Sequence, residues 1–296
     1  MWLISHASGT FGRAVTRAAL DRGHPVRVLV RDAGRANSFD PSVQVAVVDL
    51  ANRTAIRAAF EGVKAAVLTA PLGSEFVQWH RALAEAAADA GVRNVVQLSG
   101  QSADINSPTR ILRWLADAEA QVAAAGVHAT VVRPALYMQM LFKHVSEICA
   151  CGVIEAPFRN ARWGLVDARD VADVAVERLE RSAKPSVREL TGPQALDYAE
   201  IAKVVSKVTG RKVTYVDVCS PKARGRLEAK RVPPRLADAL LEYWDFHAAN
   251  PSQPHLTHEV ETLLGRPPRK LADFVKDHKQ EFAGVSCGFA AFWGPR

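Results

Sequence analysis

The chain has 296 residues, of which 48% are hydrophobic and 23% charged, the profile of a globular protein with material for a sizeable core. The net charge of +7 is dispersed rather than gathered in a basic stripe, which argues against a nucleic-acid surface, and no run of about 18 apolar residues offers a membrane span. Cys149, Cys151, Cys219 and Cys287 form no Cys-x-x-Cys pair and no metal spacing, so they read as scattered buried thiols in a reducing, cytoplasmic setting without a metal site.

Met1-Trp2-Leu3-Ile4-Ser5 enters an apolar strand at once, without the basic stretch or cleavage site of a signal peptide. A helix follows from about Thr10 to Arg22, then strands over His24–Val30 and Val43–Val48. Arg53–Phe60 reads as a short helix, Ala65–Ala70 as a strand and Glu75–Ala90 as a helix. Asn94–Ser99 is a fifth strand, Arg110–Ala125 a helix and Ala129–Arg133 a sixth strand. Most of these strands are apolar on both faces, as in a parallel sheet covered by helices on both sides. After Pro134 helices dominate, at Leu136–Cys149, Asp170–Arg181, Tyr198–Thr209, Pro234–Ala249 and Lys270–Phe282, with a short strand at Val213–Val218. The basic stretch from Lys222 to Arg235 reads as a solvated helix face. Gly284–Arg296 is left open between an ordered flap and a loose tail.

This order predicts an α/β fold: a Rossmann-type doubly wound parallel sheet with a smaller, mostly helical C-terminal substrate domain. The dinucleotide domain is expected over residues 1–134, with a return to the sheet around 165–182. The substrate domain is expected mainly over 135–296.

The first strand runs into Ser5-His6-Ala7-Ser8-Gly9-Thr10-Phe11-Gly12 and then a helix, the place where a Rossmann fold seats a pyrophosphate on a helix N-terminus. The extended reductase loop is Gly-x-x-Gly-x-x-Gly, and here His6 stands where its first glycine would be. His6 leaves two readings open. Its bulk and left-handed backbone cost either weaken the site, or its imidazolium pairs with a phosphate. Arg31, after the second strand, is placed to fork onto a ribose 2′-phosphate, which favours NADP(H) over NAD, while Asp32 next to it keeps NAD open. Asp49 and Leu50 suit the wall of an adenine pocket. His6, Ser8, Gly9, Thr10, Phe11, Gly12, Arg31, Asp49, Leu50, Thr69, Ala70 and Pro71 are the expected cofactor contacts.

Ser5–Gly12, Val28–Asp32, Asp49-Leu50, Leu98-Ser99 and Val131–Pro134 together resemble the NmrA-like, atypical short-chain dehydrogenase/reductase family. Glu189–Leu196 with Tyr198-Ala199-Glu200, and Leu264–Pro268 before Phe274, are similar to its ergot-alkaloid (festuclavine dehydrogenase) branch and bacterial relatives. The resemblance covers about residues 1 to 283. It implies NADP(H) use, often with reduction of a C=N or C=C bond, and His6 departs from its loop.

Conventional short-chain reductases use Tyr-x-x-x-Lys, in which the lysine lowers the tyrosine pKa. Four residues beyond Tyr137, Tyr198, Tyr215 and Tyr243 stand Leu141, Ala202, Cys219 and His247, so no dyad exists. Ser99, at the carboxyl end of the fifth strand, and Tyr137 are the candidate catalytic groups, with Gln101 and Met138 as substrate contacts. His80 reads as a surface histidine, Glu119 as solvent-facing or capping a loop, and Asp170 as a helix N-cap. The leading expectation is an NADPH-dependent reductase of a small, secondary-metabolite substrate. A cofactor-free or redox-neutral cyclase or isomerase, and a redox-silent NADP(H)-binding regulator, are the alternatives.

Overall fold

The computed structural model describes residues 1–182, 184–251 and 254–284. In chain order the elements are β1 (Trp2–Ile4), α1 (Thr10–Asp21), β2 (Val26–Val30), β3 (Gln44–Val47), α2 (Arg53–Ala59), β4 (Ala65–Leu68), α3 (Phe76–Asp89), β5 (Asn94–Leu98), α4 (Arg110–Ala124) and β6 (Ala129–Pro134). Then come α5 (Val145–Cys151), β7 (Val153–Ala156), α6 (Ala168–Glu180), β8 (Ser186–Leu190), α7 (Tyr198–Thr209), β9 (Thr214–Asp217), α8 (Ser220–Ala229), α9 (Pro234–Ala249), α10 (Glu259–Leu264), α11 (Leu271–Asp277) and α12 (Lys279–Ala283). The chain divides into two compact units. One holds Met1–Pro134, Ala168–Leu190 and Glu259–Gly265; the other holds Ala135–Asp167, Thr191–His258 and the chain from Arg266.

The first unit is built on a seven-stranded sheet in the order β3-β2-β1-β4-β5-β6-β8. Every pair in it is parallel. The strand order reverses between β1 and β4, and in such sheets ligands gather outside the carboxyl ends of the strands at that reversal. Central strands are buried on both faces; β4 is buried at every residue. Exposed Val47 and Val187 lie on the two edge strands. Helix α1 buries Phe11, Val15 and Ala19, a stripe at fourfold spacing that faces the sheet. Leu3, Leu29, Ile56, Phe60, Leu68 and Leu83 belong to one continuous core cluster.

The second unit pairs β7 with β9 in parallel, Ile154 opposite Tyr215. Helix α7 starts at a complete capping box: Asp197 accepts from the Glu200 N–H at 2.8 Å, and Glu200 accepts from the Asp197 N–H at 3.0 Å. Its core gathers Phe158, Trp163, Tyr198, Ile201, Phe274 and Phe282.

Several local expectations are corrected. The helix predicted from Leu136 begins instead as a 3-10 turn, Met138–His144, before α5. Tyr137 bridges Val166, and the Val166 N–H donates to the Leu136 carbonyl at 3.0 Å, so strand-like pairing claims a carbonyl that a helix from Leu136 would need. The helix predicted over Lys270–Phe282 breaks at His278 (φ −113°, ψ 27°) into α11 and α12. Asp170 is not an N-cap but lies in the first turn of α6, fully buried. His80 is not at the surface: it is 0% exposed on the inner face of α3. The cysteines are not uniformly buried, since Cys149 is half-buried and Cys151 and Cys219 are exposed. Cys287 and the tail beyond Gly284 lie outside the described residues. On α8 the basic residues make ion pairs at the surface, Lys222 with Glu155 at 3.2 Å and Arg224 with Asp238 at 2.9 Å. Among the described residues no helix is long and apolar enough to cross a membrane, and no cluster of His, Cys, Asp or Glu could hold a metal ion.

Candidate functional site

The turn after β1 is held to β4 by one buried hydroxyl. Ser5 Oγ donates to the Thr69 carbonyl at 2.6 Å and accepts from the Thr69 N–H at 2.8 Å. The next residue, His6, has φ 45°, a left-handed conformation that glycine adopts freely and histidine adopts at a cost. The His6 carbonyl accepts from the Gly9 N–H at 3.0 Å, and α1 starts one residue later. No side chain caps α1, so the N–H groups of Thr10, Phe11 and Gly12 head the helix without a side-chain acceptor. Gly12 is obligatory for packing: a Cβ there would lie 2.5 Å from the His6 carbonyl oxygen and 2.6 Å from the Ala7 Cα. A helix N-terminus of this kind is a ready anion site.

The imidazole of His6 lies over Gly9. A Cβ on Gly9 would meet His6 Nε2 at 2.7 Å and Cδ2 at 2.8 Å. Burial, then the positive charges of Arg31 and Arg35 and the neighbouring His80, lower the His6 pKa to about 4. His80 is stacked at an angle on Phe76 (centroids 4.4 Å) and bonds the Phe76 carbonyl through Nδ1 at 3.0 Å, which leaves its buried Nε2 without a partner. Arg13 donates from Nε to the Ser8 carbonyl at 3.0 Å and lies over the Phe39 ring. Asp32 accepts from the Gly34 N–H at 2.9 Å, capping the short 3-10 turn that carries Arg35, so its carboxylate is engaged locally. Asp49 likewise accepts from the Ala51 N–H at 3.0 Å, and Leu50 is buried. Thr69 and Ala70 are buried and Pro71 half-buried where β4 ends.

At the end of β5 the Ser99 hydroxyl donates to Glu119. Glu119 is gripped by Arg133, Nε to Oε1 at 2.8 Å and Nη2 to Oε2 at 2.6 Å. Donating to the Glu119 carboxylate raises the Arg133 pKa above its ordinary value. Glu189 adds a second carboxylate at 3.8 Å from Arg133 Nη1. Glu119 is therefore an inward partner, not the solvent-facing or loop-capping residue expected. Gln101 is half-buried, its N–H on the Pro134 carbonyl at 2.9 Å.

The first unit thus brings His6, Ser8–Gly12, Arg31, Asp49-Leu50, Thr69–Pro71, Ser99 and Gln101 to the carboxyl ends of its strands. Tyr137 and Met138 belong to the second unit. The Tyr137 ring is partly exposed, but its hydroxyl is buried without a partner, and that burial pushes its pKa up. Met138 is 1% exposed. Nearby in sequence, Gln139 donates to the buried Asp167 at 2.8 Å. An aromatic group not singled out from the sequence joins Trp163, Tyr243 and His247, with centroids 4.9 Å apart for Trp163 and His247 and 4.4 Å for Tyr243 and His247. Trp163 Nε1 and His247 Nε2 are buried there without partners.

A model of the NmrA-like family matches residues 3–274. The chain is 34% identical over 290 residues to an NAD(P)H azoreductase of Xenophilus azovorans, covering 96% of this chain and 100% of that protein. It is 32% identical over 285 residues to a (4-alkanoyl-5-oxo-2,5-dihydrofuran-3-yl)methyl phosphate reductase of Streptomyces griseus, covering 96% and 99%. In fold it is similar to the NADPH-dependent quinone oxidoreductase QOR2 of Escherichia coli, solved with NADPH, at a TM-score of 0.80 and 23% identity over 94% of this chain and 99% of that one. The chain belongs to the NmrA-like family and is an NAD(P)H-dependent oxidoreductase.

Proposed function

We propose that this protein uses NADPH to reduce a small organic acceptor of secondary-metabolite type, one whose reacting C=N or C=C bond is already electron-poor. The observation that carries the reading is the state of the candidate hydroxyls. Ser99 spends its proton on Glu119, and Tyr137 is buried, unpartnered and held protonated rather than activated by a lysine. Neither is a good proton donor, so an acceptor that demands a general acid fits poorly. An iminium or conjugated acceptor attracts a hydride with less help, and positioning then supplies most of the rate.

In this reading the N–H groups of Thr10, Phe11 and Gly12 hold the pyrophosphate, and Arg31 with Arg35 meets the 2′-phosphate. Bound NADPH supplies the hydride. Ser99, fixed by Glu119 and Arg133, presents oxygen lone pairs that orient the acceptor. One of the two relatives above is named for azo compounds, whose reacting bond is N=N, and the other for an acylated dihydrofuranone phosphate; both names support an electron-poor acceptor, and only the second a conjugated C=C bond. One observation favours a second reading, redox-neutral ring closure in the old cofactor site: the His6 ring covers Gly9, where the dinucleotide would approach.

Stoichiometry separates the two. Purified protein, NADPH and an iminium or enone acceptor are followed by cofactor absorbance and product mass together. One NADPH consumed per product that has gained one hydride, together with a solvent proton where the acceptor is an enone, supports the reductase. Isomerised product with no NADPH consumed overturns it.

A further inference from the structure

We propose that His6 is a ligand of the dinucleotide pyrophosphate and that it engages as the imidazolium, so that cofactor binding draws a proton from solvent into the loop. The proposal rests on dinucleotide binding at this loop and concerns the residue that breaks the family's glycine pattern. The left-handed backbone of His6 turns its ring back onto Gly9, the N-cap of α1, with Nε2 and Cδ2 against it. That places a ring nitrogen at the helix end where the free N–H groups of Thr10, Phe11 and Gly12 would meet a phosphate. The imidazole has no hydrogen-bonded partner among the described residues, so its nitrogens are available to an incoming ligand.

The surroundings explain why the ring waits uncharged. Arg31 follows β2, Arg35 lies on the 3-10 turn, and His80 approaches from α3; each opposes a proton on His6, after burial itself. From α1, Arg13 is anchored on the Ser8 carbonyl. No carboxylate is among the groups that act on His6. A diphosphate brings the missing anion. It neutralises the guanidinium field and supplies a charged acceptor, and both changes favour the imidazolium. A loop with glycine at this position would bind the same phosphates without taking up a proton.

Calorimetric titration with NADH tests this. The probe lacks the 2′-phosphate, which itself titrates near pH 6. Repeating each titration in two buffers of different ionisation enthalpy reads the proton count directly. Wild type is expected to take up most of one proton at about pH 5.5, and its affinity to fall about tenfold by about pH 7.5. His6→Gly and His6→Asn both tolerate the left-handed backbone. They are expected to bind with little proton uptake and a flat pH profile. Equal proton uptake by wild type and both variants overturns the proposal. So does tighter binding by His6→Gly at every pH, which would make the ring an obstacle. If no dinucleotide binds to wild type or variants at any pH, the cofactor reading itself fails with it.

Discussion

Arg133 holds Glu119 in a two-point fork, with Nε on Oε1 at 2.8 Å and Nη2 on Oε2 at 2.6 Å. The same carboxylate takes the proton of Ser99 at the end of β5. Their side chains keep only 20% and 13% of their exposure, so the fork is poorly screened by solvent. Removing the carboxylate leaves a half-buried guanidinium with only the more distant Glu189 and Asp104 carboxylates among the groups that act on it. Glu119→Ala is expected to cost roughly 1.5–3 kcal/mol of stability, and Glu119→Gln less, as read by urea unfolding. A midpoint unchanged in Glu119→Ala would show that water replaces the fork at no cost.

In the proposed reading, cofactor choice rests on Arg31 at the exposed end of β2. Arg31→Ala is expected to weaken NADPH about tenfold or more while leaving NADH within about twofold, since one charge-assisted contact is lost. Calorimetry with both cofactors checks it. If the preference survives in Arg31→Ala, the 2′-phosphate is held elsewhere, and Arg35 is the next substitution.

The two loop glycines fail in different ways. A Cβ on Gly9 collides with the His6 ring, and a Cβ on Gly12 collides with backbone at His6 and Ala7. Gly9→Ala and Gly12→Ala are each expected to destabilise by about 1–3 kcal/mol. His6→Gly should relieve Gly9→Ala and leave Gly12→Ala uncorrected. The coupling energy of the Gly9–His6 cycle is expected to exceed about 0.5 kcal/mol. An additive Gly9–His6 cycle would show that the ring does not cover Gly9.

Stability of the free protein should fall in mild acid. His6, His80, His144 and His247 each have a folded pKa lowered to about 4, with burial the first cause. The unfolded value is about 6.5. Between the two the unfolded chain binds more protons, so stability is fully present above about pH 6.5 and is lost as pH falls towards about 4. The window from about pH 6.5 to 5 lies above ordinary carboxylate titration and isolates the histidines. The urea midpoint is expected to drop steadily through it, and less steeply in His80→Leu. A flat midpoint across that window would mean that these rings charge without penalty.

Much of the fold was legible from short-range pattern. Buried β4 reads as a run of apolar residues, and α7 is marked by Asp197 and Glu200 three apart before its apolar stripe. The parallel, helix-covered sheet followed from strands alternating with helices, whereas its strand order was not read from the sequence. His80 could have been placed correctly, because Phe76, His80, Leu83, Ala84 and Ala87 form one helical stripe and a histidine within it is buried. The Glu119–Arg133 fork was not readable, since it joins a helix to a strand across a distance that no local period encodes. The break at His278 is tertiary too: its ring packs against Phe142 and Phe274, at 4.9 and 4.8 Å. At the loop, the missing glycine was visible, but the direction of the His6 ring depends on a left-handed φ that sequence alone does not disclose.

The central claim is that this reductase works on acceptors that need no dedicated acid, and a side-by-side acceptor panel tests it most directly. Initial rates of NADPH oxidation, with product mass, are compared for iminium ions, enones, quinones and azo compounds against plain aldehydes and ketones. Turnover is expected for members of the first group and not for the second. Ser99→Ala is expected to lower that rate by about tenfold, about 1.4 kcal/mol of barrier, rather than abolish it, and Tyr137→Phe to leave it within about twofold. Fast reduction of a plain ketone, lost completely in Tyr137→Phe, would contradict the account and make Tyr137 the acid.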